Sequence, residues 1–200
     1  RESVGSEPCR RPFRIVHNLS YFRWTERAEP AADLAIAQRQ LGHRVWFLCG
    51  RNQGAAPEDT VGVRLPLKGM ERTELELYKH LRPLSACRDL PRLRRLITDH
   101  APDNVHCHMP NAHLLASLAV CGLSPRPFIV RSIYRPAGPE WPLRYLLFCR
   151  PHTDGLIVIS EAVKQLSRGK FRRHPERVAV LVPGIDLDSF AASDETPPLD

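Results

Sequence analysis

Apolar residues along the chain fall into two rhythms. Short runs rich in β-branched and aromatic residues alternate with stretches whose apolar positions recur at helical spacing. Phe13-Arg-Ile-Val-His-Asn-Leu19 is the first such run and predicts a buried strand. Ala31, Leu34, Ala35, Ala37 and Leu41 then repeat at the helical period, with Gly42 as a stop. Pro30 precedes them, a residue tolerated in a first turn. Arg44 to Cys49 predicts a second strand, ended by Gly50. Strand, helix and strand within about forty residues make a βαβ unit, which implies a parallel sheet.

The alternation continues to the far end of the chain. Val61 to Leu67 predicts a strand, 73–82 a helix ended by Pro83, and Leu90 to His100 a helix with Leu93, Leu96 and Ile97 on one face. Asn104 to His108 predicts a strand, 111–121 a helix, Phe128 to Ile133 a strand and 141–149 a helix. Gly155 to Ser160 is a further strand, 161–171 a helix, and Val178 to Val182 the last strand before Pro183-Gly184. The fold class is therefore α/β: a doubly wound, parallel, Rossmann-like sheet of about seven strands with helices on both faces. Residues 1–12 read as a loose polar leader, 13–190 as the domain, and 191–200 as the start of an interdomain linker.

Composition narrows the chemistry. At 200 residues with 42% hydrophobic and 26% charged positions, the chain can bury a core without metals or disulfides. No apolar run reaches the roughly 18 residues of a spanning helix, and the leader lacks the apolar core of a signal peptide. Lys and Arg number 29 against 22 acids, giving +7, which favours anionic partners. The six cysteines stand at irregular gaps with no CxxC pair, as small buried hydrophobes rather than a zinc layout or disulfide framework. That usage points to a reducing, cytoplasmic compartment.

In open parallel sheets, ligands bind outside the carboxyl ends of the strands. The residues just after each predicted strand are rich in His, Arg, Ser and amides, which suits phosphate or sugar-hydroxyl recognition. Neither G-x-G-x-x-G nor a Walker-type loop is present, which argues against a dinucleotide-linked dehydrogenase and a P-loop nucleotide hydrolase.

Four strand-end motifs, in order, resemble the N-terminal half of a GT-B glycosyltransferase of the retaining family-four type. Leu34-Ala-Ile-Ala-Gln-Arg-Gln-Leu-Gly42-His43-Arg44-Val45 resembles "LA..L..rGHeV", and Pro102-Asp-Asn-Val-His106-Cys-His108 resembles "PDvvHaH". Ile157-Val-Ile-Ser160 with Lys164 resembles "vi.vS...k", and Val180-Leu-Val-Pro-Gly184-Ile-Asp186-Leu-Asp-Ser-Phe190 resembles "v.PnGvD...F". The resemblance implies a metal-independent transferase that moves a sugar from a nucleotide-sugar donor to an acceptor hydroxyl, with no cofactor beyond the donor. It implies that this chain is the acceptor-side domain, inactive alone, and that the donor-binding C-terminal domain lies outside it. Sugar, lipid-linked or phosphorylated acceptors are the partners it implies. It places Asn18, Thr25, Glu26, His106, His108, Arg131 and Ser160 in the acceptor and donor-phosphate cleft, with no metal and no assigned catalytic base.

The sequence also departs from that family. Thr25-Glu26 stands where a Gly-Gly pair usually lets the backbone approach phosphates. The fifth strand runs Arg131-Ser-Ile-Tyr134 where a histidine is usual, and Pro183 replaces the common asparagine. These departures keep a second reading open, a non-catalytic sugar- or partner-binding half-fold; a sugar epimerase of the same architecture is a third.

Plainer roles compete at single positions. His106 and His108 are strand-end histidines before they are a metal pair; Ser160 can simply cap a helix, Glu161 supply first-turn charge, and His43 pack locally. Asp186-Leu-Asp188 reads as a turn. Residues 79–95 and 164–177 each hold six basic residues and one acid. These are solvated helix faces by default, or a peripheral docking surface for an anionic inner-membrane face. Nucleic acid is not expected, because the aromatics do not interleave with the arginines.

Overall fold

The computed structural model describes residues 11–138, 147–170 and 175–184. The leader up to residue 10, most of the predicted 141–149 helix, the Asp186–Asp188 turn and the linker lie outside these residues. Seven strands form one parallel sheet: β1 (Arg14–Leu19), β2 (Arg44–Gly50), β3 (Arg72–Leu75), β4 (Asn104–Cys107), β5 (Phe128–Ile133), β6 (Gly155–Val158) and β7 (Val178–Val180). Their order is β3-β2-β1-β4-β5-β6-β7. The chain winds outward from β1 to β3, then returns to β4 on the other side of β1. That reversal puts the topological switch point between β1 and β4, where such sheets bind ligands.

The helices connect these strands: α1 (Ala28–Gln40), α2 (Val61–Leu67), α3 (Pro83–His100), α4 (Pro110–Val120) and α5 (Glu161–Lys170). One core joins Val16, Leu19, Phe47, Leu48, Val105 and Ile129 of the sheet to the alanine stripe Ala28, Ala31, Ala32 and Ala35 of α1 and to Leu93 and Ile97 of α3. The small residues let α1 lie close to the strands. Gly42 closes α1 as expected: its φ is +88°, its N–H donates to Arg39 O, and His43 N–H donates to Gln38 O. This double bond is the Schellman arrangement that favours glycine. Gly50 is part of β2 rather than its stop; a Cβ there would sit 2.6 Å from the Leu77 carbonyl oxygen.

Two predicted elements are corrected. Val61–Leu67 is a helix, not a strand. A strand would bury positions 61, 63, 65 and 67 together, but only Val61 and Leu65 are buried, while Val63 and Leu67 face solvent. Residues 73–82 are not a helix: Arg72–Leu75 pairs in parallel with β2, and the chain then runs irregularly to Pro83, which starts α3 instead of ending a helix. The Glu- and Leu-rich composition favours a helix, but pairing with β2 overrides that preference. Buried Asp89 of α3 secures the loop by accepting the Glu76 N–H at 2.9 Å. The count of seven strands is right because these two errors offset one another. The cysteines also divide: Cys49, Cys107 and Cys149 are buried as expected, whereas Cys87 and Cys121 are exposed.

Candidate functional site

At the switch point, β1 and β4 bring three histidines together. His17 of β1 is in register with His106 of β4. His108 lies two residues beyond His106 and so projects to the same side, while Cys107 points the other way, to the Ala112 carbonyl. The His108 backbone N–H donates to Asn18 O, extending the ladder past the end of β4. All three imidazoles are buried: His17 is 0% exposed, His106 and His108 2% each.

A hydrogen-bonded chain runs through them. Gln38 Oε1 of α1 lies 2.7 Å from His17 Nε2, His17 Nδ1 lies 2.9 Å from His108 Nε2, and His108 Nδ1 lies 2.9 Å from the Tyr134 hydroxyl. With the Gln38 amide oxygen as acceptor, each proton has one place. His17 carries its proton on Nε2, His108 on Nε2, and the Tyr134 hydroxyl donates inward. His106 Nε2 is 2.8 Å from Ser132 Oγ on the neighbouring strand. Burial lowers the His17 pKa to about 4 against the opposing Gln38 bond. Burial likewise pushes His106 well down, helped by His17, and His108 well down, helped by both its neighbours. The cluster is thus a neutral, aromatic, polar core. Burial also raises Tyr134 to about 12, so its hydroxyl stays protonated.

Outside this cluster opens a cleft of about 490 Å³. His108, Met109 and Pro110 follow β4; Arg131 to Arg135 and Gly138 come from β5 and its extension; Arg27, Lys79, His80 and Leu81 close the rim. Arg27, Lys79, Arg131 and Arg135 make it basic, and among the described residues no carboxylate lines it. An apolar groove of about 370 Å³ adjoins it, between Pro30, Leu34 and Ala37 of α1 and the ends of β5, β6 and β7. Ser132, Ile133 and Tyr134 line both. Tyr134 therefore stands where a basic space meets an apolar one.

The residues singled out in the sequence divide among these places. His108 and Arg131 line the cleft, and His106 lies behind it, bonded to Ser132. Asn18 is fully buried and ties β1 to α4 by donating from Nδ2 to Ala112 O. The Thr25 carbonyl accepts the N–H groups of Ala28 and Glu29, so these first-turn donors face their own chain. Glu26 is exposed and 3.9 Å from Arg27 Nε; it is Arg27, not the Thr25-Glu26 pair, that reaches the rim. Ser160 accepts the Val163 N–H at 3.3 Å and caps α5. Glu161 is exposed in the first turn of that helix and holds Lys164 and Gln165. Tyr134 and Arg135 fall in the strand-end stretch 131–135 that sequence reasoning marks as a ligand position, whereas it does not assign Gln38, Lys79 or His80 to the site. The β1–β4 adjacency of a doubly wound order could have joined His17 to His106; nothing local in the sequence signals Lys79 or His80.

The glycosyltransferase family 4 model matches residues 31–189. The chain belongs to glycosyltransferase family 4. Among solved structures, HepE from Anabaena, crystallised with UDP and glucose, is 14% identical with a TM-score of 0.63; the match covers 91% of this chain and 47% of that one. A glycosyltransferase from Rickettsia africae is 14% identical with a TM-score of 0.65, covering 93% and 47%. A UDP-N-acetylglucosamine 2-epimerase shares the fold as well, at 15% identity and a TM-score of 0.58, covering 85% and 48%. No curated protein sequence matches the chain significantly. This family 4 chain spans about half the length of the solved structures it matches. Likeness at this identity shows the GT-B half-fold, the Rossmann-like sheet expected from the sequence. Among the described residues, no helix is long and apolar enough to cross a membrane.

Proposed function

We propose that this chain is the acceptor-side, N-terminal half of a retaining, metal-independent glycosyltransferase that moves a sugar from a nucleotide-sugar donor to an acceptor hydroxyl. The observation that carries the reading is the basic cleft at the ends of β4 and β5, in a chain of family 4. Its four cations, with no carboxylate among the described lining residues, suit phosphate, and the Tyr134 oxygen can accept a hydrogen bond from an acceptor hydroxyl. UDP and glucose in HepE support a nucleotide-sugar donor. The adjoining apolar groove favours an acceptor with both an anionic head and an apolar portion, as a lipid-linked sugar has. Such an acceptor would be met at an anionic membrane face. Arg82 and Arg88, beside exposed Leu81 and Leu84 at the start of α3, are suited to peripheral contact there.

A second reading is a binding half-fold without catalysis. It is favoured by Thr25, whose carbonyl takes the α1 first-turn N–H groups that a Gly-Gly loop would leave facing phosphate. The test is to express the complete protein that contains this chain and measure nucleoside diphosphate release from UDP-sugars, with and without lipid-linked acceptors. Acceptor-dependent release, lost in Arg131→Ala, supports transfer. Tight acceptor binding without release supports the binding module, and an altered free UDP-sugar with no acceptor added supports an epimerase.

A further inference from the structure

We propose that Gln38 is a positioning residue whose amide oxygen sets the direction of the hydrogen-bonded chain, so that Tyr134 presents the cleft with an acceptor only and selects a ligand hydroxyl. The inference deepens the reading of the cleft as an acceptor site and rests on it. The Gln38 oxygen takes the His17 Nε2–H at 2.7 Å. His17 Nδ1 then accepts from His108 Nε2, and His108 Nδ1 accepts from the Tyr134 hydroxyl, each at 2.9 Å. A second branch arrives with the same sense. Ser132 is hydrogen-bonded to Tyr134 and opposes the burial-driven rise of its pKa, as a donor to the phenol oxygen does. His106 Nε2, 2.8 Å from Ser132 Oγ, then donates to that oxygen. Every proton along the path points toward Gln38, and hydrogen bonds that run one way polarise one another.

The surroundings favour the same direction. Arg27, Lys79, Arg131 and Arg135 line the cleft. Fixed positive charge turns a hydroxyl's oxygen toward itself and the proton away. Gln38 itself lines neither the cleft nor the apolar groove, so it reaches a ligand only through the chain. A donor in its place would reverse each bond and make Tyr134 donate outward. As the chain stands, the phenol oxygen gives its proton to His108 and one lone pair to Ser132, and keeps one lone pair for the cleft. A ligand ether or carbonyl oxygen there would set lone pair against lone pair. A hydroxyl donates instead and keeps its own lone pairs free for an incoming sugar. Tyr134 thus orients a hydroxyl without taking its proton.

The test uses the complete protein that contains this chain, with ¹⁵N-labelled histidine and n-octyl β-D-glucoside as the probe. The probe is neutral, so its affinity does not report the cations, and it offers hydroxyls to the cleft and an alkyl chain to the groove. Ring-nitrogen resonances of the wild type should show His17 and His108 each as the single Nε2–H tautomer. Gln38→Met keeps the length of the side chain and removes the acceptor. It should abolish the single tautomer at His17 and weaken octyl glucoside binding about 3–10-fold. Tyr134→Phe should weaken binding by a similar factor, and adding Gln38→Met to it should change nothing further, because Gln38 acts through Tyr134. Equal weakening by Gln38→Met in both backgrounds would be a purely structural effect and overturns the proposal. An Nδ1–H tautomer at His17 or His108 in the wild type reverses the chain and also overturns it, as does the absence of saturable octyl glucoside binding below its micelle concentration. None of these readouts needs sugar transfer, so they fail separately from the transferase reading: a protein that releases nucleoside diphosphate but shows reversed tautomers loses the inference and keeps the function.

Discussion

The two ends of the sheet solve the same problem with opposite chemistry. At the entry of the strands, two aspartates stitch neighbours together with charge. Asp103, just before β4, accepts the Arg14 N–H of β1 at 2.8 Å and pairs with Arg11. Asp154, just before β6, accepts the Ile129 N–H of β5 at 2.8 Å and holds Arg126 through both oxygens, at 2.6 and 2.8 Å. At the exit of β1 and β4 the same adjacency is held by neutral imidazoles, an amide and hydroxyls, and none of the hydrogen bonds that link them uses a carboxylate. A carboxylate at the entry can saturate its acceptors with backbone and guanidinium and still touch solvent. In the function proposed above, the exit admits a ligand at the switch point, which suits donors and acceptors that are neutral and adjustable and cations on the rim. On that reading the entry holds and the exit binds.

The largest expected effect breaks the entry. Asp154→Ala strands the Arg126 guanidinium and a buried N–H, and should lower unfolding free energy by about 2–4 kcal/mol in denaturant titration. Asp103→Ala should lose only about 1–2 kcal/mol, because Arg11 is mostly exposed and chiefly the Arg14 backbone bond is lost. Equal losses at the two sites would show that burial of the pair does not set the contribution, and would remove the contrast between the two aspartates.

Much of this contrast was not legible in the sequence, for a physical reason. The strand and helix rhythm is local, so β1, α1, β2 and the run from β4 to α5 could be read directly. The α2–β3 region could not, because Val61-Gly-Val-Arg-Leu-Pro-Leu67 fits either period and Arg72–Leu75 becomes a strand only by pairing with β2. At the site, His106 and His108 were legible from spacing and from the family motif. His17, Gln38 and Tyr134 come from three separate elements, and only the strand order makes them neighbours. Ser160 was legible as a residue type whose two roles, cap and ligand contact, share one sequence signature.

Acid titration sharpens the comparison next. Burial holds His113 of α4 well below its ordinary value, with the Arg131 charge adding to the effect. Its unfolded form therefore takes up a proton below about pH 6.5 that the folded form refuses. Stability is full above that pH and falls as pH drops, by at most about 1.4 kcal/mol per unit for this one group. Asp154 acts in the same direction but at lower pH. Burial pushes its carboxyl up, yet Arg126 and the Ile129 N–H together hold it below the usual range, so its contribution is lost only as pH falls through that lowered value. Urea titrations from pH 7 to pH 5 should show the histidine slope, and His113→Gln, able to keep the bond to Thr153 Oγ1 at 2.8 Å, should reduce it by one group's share, leaving the part that buried His17, His106 and His108 supply. An unchanged slope in that variant would mean His113 is not held neutral.

The smallest effect decides what Ser160 is for. At the exit of β6 it occupies a position where a ligand contact and a helix cap are equally consistent with residue type, and its hydroxyl is taken by the Val163 N–H at 3.3 Å. It lines neither the basic cleft nor the apolar groove. A cap of that length sits at the weak end of the usual range, so Ser160→Ala should reduce stability by about 0.5–1 kcal/mol. Ser160→Asp should restore most of it, because a carboxylate caps the same N–H and is favoured by the α5 dipole. If the serine serves only the helix, the affinity of the complete protein for the proposed nucleotide-sugar donor is unchanged in both variants. A loss of donor affinity in Ser160→Asp with stability preserved would instead assign the hydroxyl to the ligand, since an added negative charge repels phosphate but not a helix N-terminus.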